Sequence, residues 1–144
     1  MRPAARLQAA IELLDEITLA ARDDGASADS IIKKYFKKRR YAGSKDRRAI
    51  RDHVYAAIRL FGDRPETGRS AMLGLVEESC ELQVLFDGSN YGPTEIGADE
   101  SRAAGGKIPA WLGSKFAGLI DDTEQTALLG RADLHIRVHS QKKE

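Results

Sequence analysis

Apolar residues recur at three- and four-residue spacing over most of the chain, the period of a helix with one packed face. Leu7, Ala10, Ile11, Leu14, Ile17 or Thr18, and Ala21 predict a helix over 4–22, with Arg2, Arg6, Glu12, Asp15, Glu16 and Arg22 mainly on its other faces. Asp23-Asp24-Gly25 closes it, with Gly25 the natural left-handed stop. Ser27 predicts the N-cap of a second helix, with Asp29 in its first turn and a stripe of Ile31, Ile32, Tyr35 and Phe36. Tyr41-Ala42-Gly43 breaks the pattern. Ser44 then predicts the N-cap of a third helix running to about Phe61, with Ile50, Val54, Ala57, Ile58 and Phe61 on its buried face. Pro65 suits the first turn of a fourth, from Glu66 to about Glu78, with Ala71, Met72, Leu75 and Val76 inward. A short helix over 81–86 follows.

From 87 to 107 the period lapses into a stretch rich in glycine and acidic residues, read as an exposed irregular loop that touches the bundle through Tyr91 and Ile96. Pro109 opens another helix, with Leu112, Phe116 and Leu119 apolar and Trp111 as a core anchor. Asp121 or Asp122 caps a last helix through Leu129. Leu134-His135-Ile136-Arg137-Val138-His139 alternates strictly, a strand signature, and a lone strand behind a helical domain reads as the entry to a second one. The expected architecture is an all-α bundle of five to seven helices with a short C-terminal extended segment.

Composition narrows the function. An apolar fraction of 42% and a charged fraction of 31% suit a soluble domain. No apolar run approaches the roughly 20 residues of a membrane span, and no signal-peptide h-region follows the N-terminus, so the expected compartment is the cytoplasm, without a membrane partner. Cys80 is the single cysteine, which excludes an internal disulfide and a multi-cysteine metal site. His135 and His139 on a strand lie roughly 13 Å apart, too far to share a metal. Asp46 and Asp52 read as a helix cap and a local partner for Arg48 or Arg51, because no other catalytic group sits near them. Gly105-Gly106 lacks the spacing of a phosphate-binding loop. With no nucleophile–base pairing in view, the chain reads as a binding module with no catalytic residues, no metal and no cofactor of its own.

Charge says what it binds. Lys33, Lys34, Lys37, Lys38, Arg39, Arg40, Lys45, Arg47, Arg48 and Arg51 share their window with one acid, Asp46, so 33–51 carries +9 in a chain of net charge +1. A solvated helix face accounts for lysines on one helix. The run continues into the next helix, where Arg48, Arg51, Tyr55 and Arg59 recur at helical spacing. Arginines around a tyrosine suit phosphate contact with stacking on an unpaired base, although a half-buried core ring is the plainer reading of Tyr55. A polyanion, with nucleic acid first, is the expected partner. The candidate RNA-contacting residues are Lys33, Lys37, Lys38, Arg39, Arg40, Lys45, Arg47, Arg48, Arg51, Tyr55 and Arg59.

The run Tyr41-Ala42-Gly43-Ser44-Lys45-Asp46-Arg47-Arg48, followed by Val54-Tyr55 and Arg59, resembles the N-terminal NusB-like domain of bacterial 16S ribosomal RNA cytosine-5 methyltransferases, the Sun/Fmu group of the NOL1/NOP2/Sun family. Arg64-Pro65-Glu66, Pro109-Ala110-Trp111-Leu112, and Arg131 with Leu134-His135-Ile136-Arg137-Val138 extend the likeness over nearly the whole chain. Asp133, His139 and Gln141 depart from the family's pattern. The resemblance implies a NusB-like RNA-binding domain over 1–131 and the start of a truncated methyltransferase region over 132–144. It implies ribosomal RNA and the missing catalytic domain as partners. S-adenosylmethionine would belong to that absent domain, and Cys80 lacks the Pro-Cys context of the family's nucleophile. A protein-docking or dimerisation bundle without RNA contact is the alternative.

Overall fold

A computed structural model describes residues 1–130 and 133–136. They form six α-helices and one 3₁₀ turn: α1 (Pro3–Arg22), α2 (Ala28–Lys38), α3 (Ser44–Leu60), α4 (Gly68–Glu78), the 3₁₀ turn (Cys80–Leu85), α5 (Ala110–Gly113) and α6 (Asp122–Leu129). The expected all-α class is present, and of the C-terminal segment residues 133–136 are described and lie outside any helix.

α1 is the central strut. Leu7, Ala10, Ile11 and Leu14 are buried as the spacing requires, and Ala9 and Leu13 are buried too, because α2, α3 and α4 pack around more of the helix than one stripe. Its polar residues tie down those neighbours. Arg6 Nε donates to Asp46 Oδ1 of α3 at 2.8 Å. Glu12 Oε2 accepts from Tyr35 Oη at 2.9 Å and from Arg39 at 3.0 Å, holding α2. Asp15 Oδ1 accepts the Gly68 N–H at 2.6 Å, so a carboxylate of α1 caps the positive end of α4. Contact there is close enough that a Cβ on Gly68 would lie 2.2 Å from the carbonyl oxygen of Ile11. Thr67 completes the start of α4, accepting from the Ser70 N–H at 3.0 Å.

The 87–107 segment lacks regular structure but is docked rather than free. Pro93 is fully buried and Ile96 and Ala103 pack on the core, whereas Tyr91 is 77% exposed. Arg69 organises the segment: its guanidinium binds the Glu100 carboxylate at 2.7 and 2.8 Å, donates to the carbonyls of Thr94 and Glu95, and lies 5.3 Å over the Phe86 ring. Backbone bonds from Ala103 N–H to Ser70 and from Gly106 N–H to Leu60 fasten its second half. Glycine-rich composition permits this close approach, and one arginine supplies the donors that a sheet or helix would have supplied.

Several expectations need correction. Gly43, not Ser44, is the N-cap of α3, because Asp46 Oδ2 accepts the Gly43 N–H at 3.2 Å and closes the turn one residue earlier. Asp46 also pairs with Arg6 of α1 rather than with Arg48 or Arg51. Asp24 takes the left-handed conformation (φ 49°) expected of Gly25; a short carboxylate side chain tolerates that region. α4 begins at Gly68 instead of Glu66. Ile58 faces outward more than expected, at 39% exposure. Pro109 opens a single turn, and Trp111 is 70% exposed, with Leu119 and Leu128 exposed beyond it. Gly113 and Gly118 interrupt that run before it offers a continuous face to the bundle. Among the described residues Leu134-His135-Ile136 has no strand partner, and the rest of the expected strand lies outside the described residues.

Two stability measurements follow from these contacts. Gly68→Ala lowers urea-unfolding stability by about 1–3 kcal/mol through overpacking, although alanine is the better helix former by about 1 kcal/mol. Arg69, then the Gly97 N–H, holds the Glu100 carboxyl at about 2 against an ordinary 4.5. A depressed carboxylate stabilises the fold above its unfolded value, and that contribution is lost on acidification through the folded value. Thermal unfolding of the native chain therefore loses stability from 4.5 towards about 2, and Glu100→Gln flattens that part of the profile.

Candidate nucleic-acid interface

The α2–α3 hairpin carries the positive charge. Tyr55, late in α3, donates its hydroxyl to Asp29 in the first turn of α2, while Arg47 and Arg51, early in α3, sit over Phe36, late in α2. The two helices are thus antiparallel, and their backbones approach each other less closely than either approaches α1. An open groove of about 530 Å³ remains between them, lined by Lys33, Phe36, Lys37, Arg40, Arg47 and Arg51. Five of its six lining residues are cations and none is an acid.

Helix geometry explains the selection. Lys33 and Lys37 lie four residues apart on α2, and Arg47 and Arg51 four apart on α3, so each pair shares one face, and Arg40 joins them from the turn just past the end of α2. Phe36, itself buried, floors the groove, and both arginine guanidinium carbons lie 5.6 Å from its ring centroid. Arg47 Nε also donates to the Ala42 carbonyl at 2.8 Å, which holds the side chain in place. A second cleft of about 350 Å³ adjoins, lined by Ser44, Arg47, Arg48, Arg51 and Asp52, so Arg47 and Arg51 form the ridge between the two.

This arrangement works against stability. Like charges converge across the groove, and Lys45 and Arg47 crowd the first turn of α3, where the helix dipole favours anions. Asp46 offsets part of that; the Met1 amine, then Arg6 and the Gly43 N–H, hold its carboxyl below the ordinary range. Among the described residues no carboxylate of the 87–107 segment makes an ion pair with a groove cation, and Glu100 is bound to Arg69. Among the described residues none of the five groove cations makes an ion pair. An unbalanced cationic groove is what a phosphate chain would relieve.

Not every candidate residue converges. Lys38 and Lys45 are exposed and lie outside both clefts, and Arg59 stacks at 5.8 Å over Tyr55. Arg39 faces α1 instead, with its guanidinium 3.7 Å over the Tyr35 ring and bonded to Glu12. Tyr55 is half-buried, and its bond to Asp29, then burial, raise its phenol above the ordinary value, so it stays a donor that ties α3 to α2. Phe36 escaped the charge-based reading because it sits in the apolar stripe; its position between Lys33, Lys37 and Arg40 is the signal that could have found it. Among the described residues no cluster of histidine, cysteine, aspartate and glutamate could hold a metal, and no helix is long and apolar enough to cross a membrane.

Comparison with protein-family models, with curated proteins and with solved structures finds no match to this chain. The hairpin's geometry therefore stands on its own chemistry. Tyr55→Phe, which removes the tie to Asp29 and leaves the ring, should cost about 0.5–1.5 kcal/mol in chemical denaturation.

Proposed function

We propose that this chain is an RNA-binding module whose α2–α3 groove holds the phosphates of single-stranded RNA. One observation carries the reading: five cations from α2, the turn after it and α3 line one groove on an aromatic floor, with no carboxylate among them. Lysines and arginines supply the sequence-independent share of affinity, and the fixed guanidinium planes of Arg47 and Arg51 favour phosphate oxygens over a diffuse anion. The likeness of residues 41–59 to the Sun/Fmu domain supports the finer reading. In it, the module brings an S-adenosylmethionine-dependent cytosine-5 methyltransferase domain to ribosomal RNA in the cytoplasm, and the chemistry resides in that other domain. Lys45, Arg47 and Arg48 belong both to that run and to the N-terminal end of α3.

A protein-docking module is the competing reading. Its own observations are the exposure of Trp111, Leu119 and Leu128 and an apolar cleft lined by Leu14, Ile17 and Phe61 among others. Salt separates the two readings, because counterion release belongs to a polyanion.

Binding of a ribosomal RNA fragment, titrated with salt, should give a log–log slope near −3.5 for about five phosphates engaged. The combined substitution Lys33→Ala, Lys37→Ala and Arg51→Ala should reduce that slope by about 2, whereas Arg22→Ala, outside the groove, leaves it unchanged. A native slope weaker than about −1 would eliminate the RNA reading.

A further inference from the structure

On the other side of the α2–α3 turn lies a cavity of about 710 Å³ that the phosphate groove does not use. Tyr41 and Tyr91 line it at 73% and 77% exposure, and neither ring is paired with another aromatic ring among the described residues. Two free aromatic rings at the mouth of a pocket lose little on meeting a flat ligand and offer it both faces. The loop that carries Tyr91 is built tightly enough to present it. Ser89 N–H donates to Asp87 at 3.0 Å, Gly92 N–H to Ser89 at 3.0 Å, and Gly88 takes φ +62°. A Cβ on Gly92 would lie 2.9 Å from that of Ala4, so the turn rests directly on α1.

The lining carries a small positive excess, Arg2 and Arg39 against Glu12. Arg39 lies 3.7 Å over the Tyr35 ring and bonds to Glu12, and the Met1 amine is bound to Asp46, so Arg2 is the one lining cation without an ion pair among the described residues. Tyr35 donates to the same Glu12 Oε2, and burial, then that bond, push its phenol well above the ordinary value, so it remains a donor. Glu12 Oε1, together with the side chains of Gln8 and Asn90, leaves amide and carboxylate groups to meet the polar edge of a ligand. With one unpaired cation against the five of the groove, and with aromatic rings and amide groups in their place, such a wall suits a flat heterocycle with donors and acceptors on its rim.

Position links this cavity to the groove. Arg40 lines the groove, while its neighbours Arg39 and Tyr41 line the cavity, so the two sites are separated only by the turn at the end of α2. We propose that this cavity takes one unstacked nucleobase of the RNA whose phosphates lie in the α2–α3 groove, held between Tyr41 and Tyr91. The proposal rests on the RNA reading of the groove. Phosphates would fix the strand, and the pocket would add sequence-tolerant stacking with hydrogen bonds at the base edge.

The test uses the full chain and two fluorescein-labelled probes: a ten-nucleotide single-stranded RNA and the same ribose-phosphate backbone without bases. The native chain should prefer the RNA by about 5- to 150-fold, the range for one base stacked on aromatic rings. Tyr41→Ala with Tyr91→Ala should erase that preference without changing the salt slope, and Tyr41→Phe should retain it. Both tyrosines are exposed, and unchanged far-ultraviolet circular dichroism confirms that the variants fold. If the double variant binds both probes as the native chain does, the cavity does not hold a base and the groove reading survives. The same holds if the native chain does not distinguish the probes, as expected of a cavity that receives a peptide side chain. Absence of salt-dependent binding to either probe overturns the groove and the pocket together.

Discussion

The fold depends on α1 being enclosed while it still carries charge. A helix packed on this much of its circumference would ordinarily be apolar all round, because a buried charge without a partner is costly. Here Arg6, Glu12 and Asp15 each meet a group on a different neighbour: Asp46 of α3, Tyr35 and Arg39 of α2, and the first N–H of α4. Apolar contact supplies the attraction, and these bonds set the direction in which each neighbour leaves α1. None of them needs to contribute much net stability to act in this way, since truncating one partner strands the other.

That frame permits the charge distribution of the hairpin. α2 is held to α1 through Tyr35 and Arg39, and to α3 through Asp29 and Tyr55, at positions outside the cationic groove. Lys33, Lys37, Arg40, Arg47 and Arg51 are therefore spared from structural pairing and converge where mutual repulsion opposes folding. Basic residues in the last turn of α2 agree with its dipole, but those in the first turn of α3 do not. A surface assembled against its own electrostatics is better explained by a ligand than by stability.

Consecutive residues at the end of α2 divide the labour. Tyr35 and Phe36 meet edge to face at 5.6 Å, one ring turned towards α1 and the other towards the groove, and each is covered by arginine. Arg39 follows Tyr35 into neutral packing, and Arg40 belongs with Phe36 in the groove. A helical step of about 100° separates Tyr35 from Phe36, and the turn that begins at Arg39 carries Arg40 to the groove side. A charge count along the chain weighs both arginines alike.

Much of the bundle was legible in the sequence. The spacing of Leu7, Ile11 and Leu14, of Ile32 and Phe36, and of Ile50, Val54 and Ala57 specified the first three helices to within a residue or two, because a strong period needs no knowledge of the partner. The concentration of cations between Lys33 and Arg51 was legible too. Three things were not. Whether 87–107 stays free or docks depended on Arg69 reaching the carbonyls of Thr94 and Glu95 and the carboxylate of Glu100, contacts 25 to 31 residues away in sequence. Trp111 was assigned to the core on its size, yet a one-turn helix between glycines had no face to bring it there. The partition of the cations was decided by how closely α2 and α3 approach across Phe36. By itself, then, the sequence determined where helices form and how much positive charge they carry, since periodicity and composition are local. Tertiary structure decided which of those charges share one groove and which are spent on packing, since that rests on distances between elements no local pattern encodes.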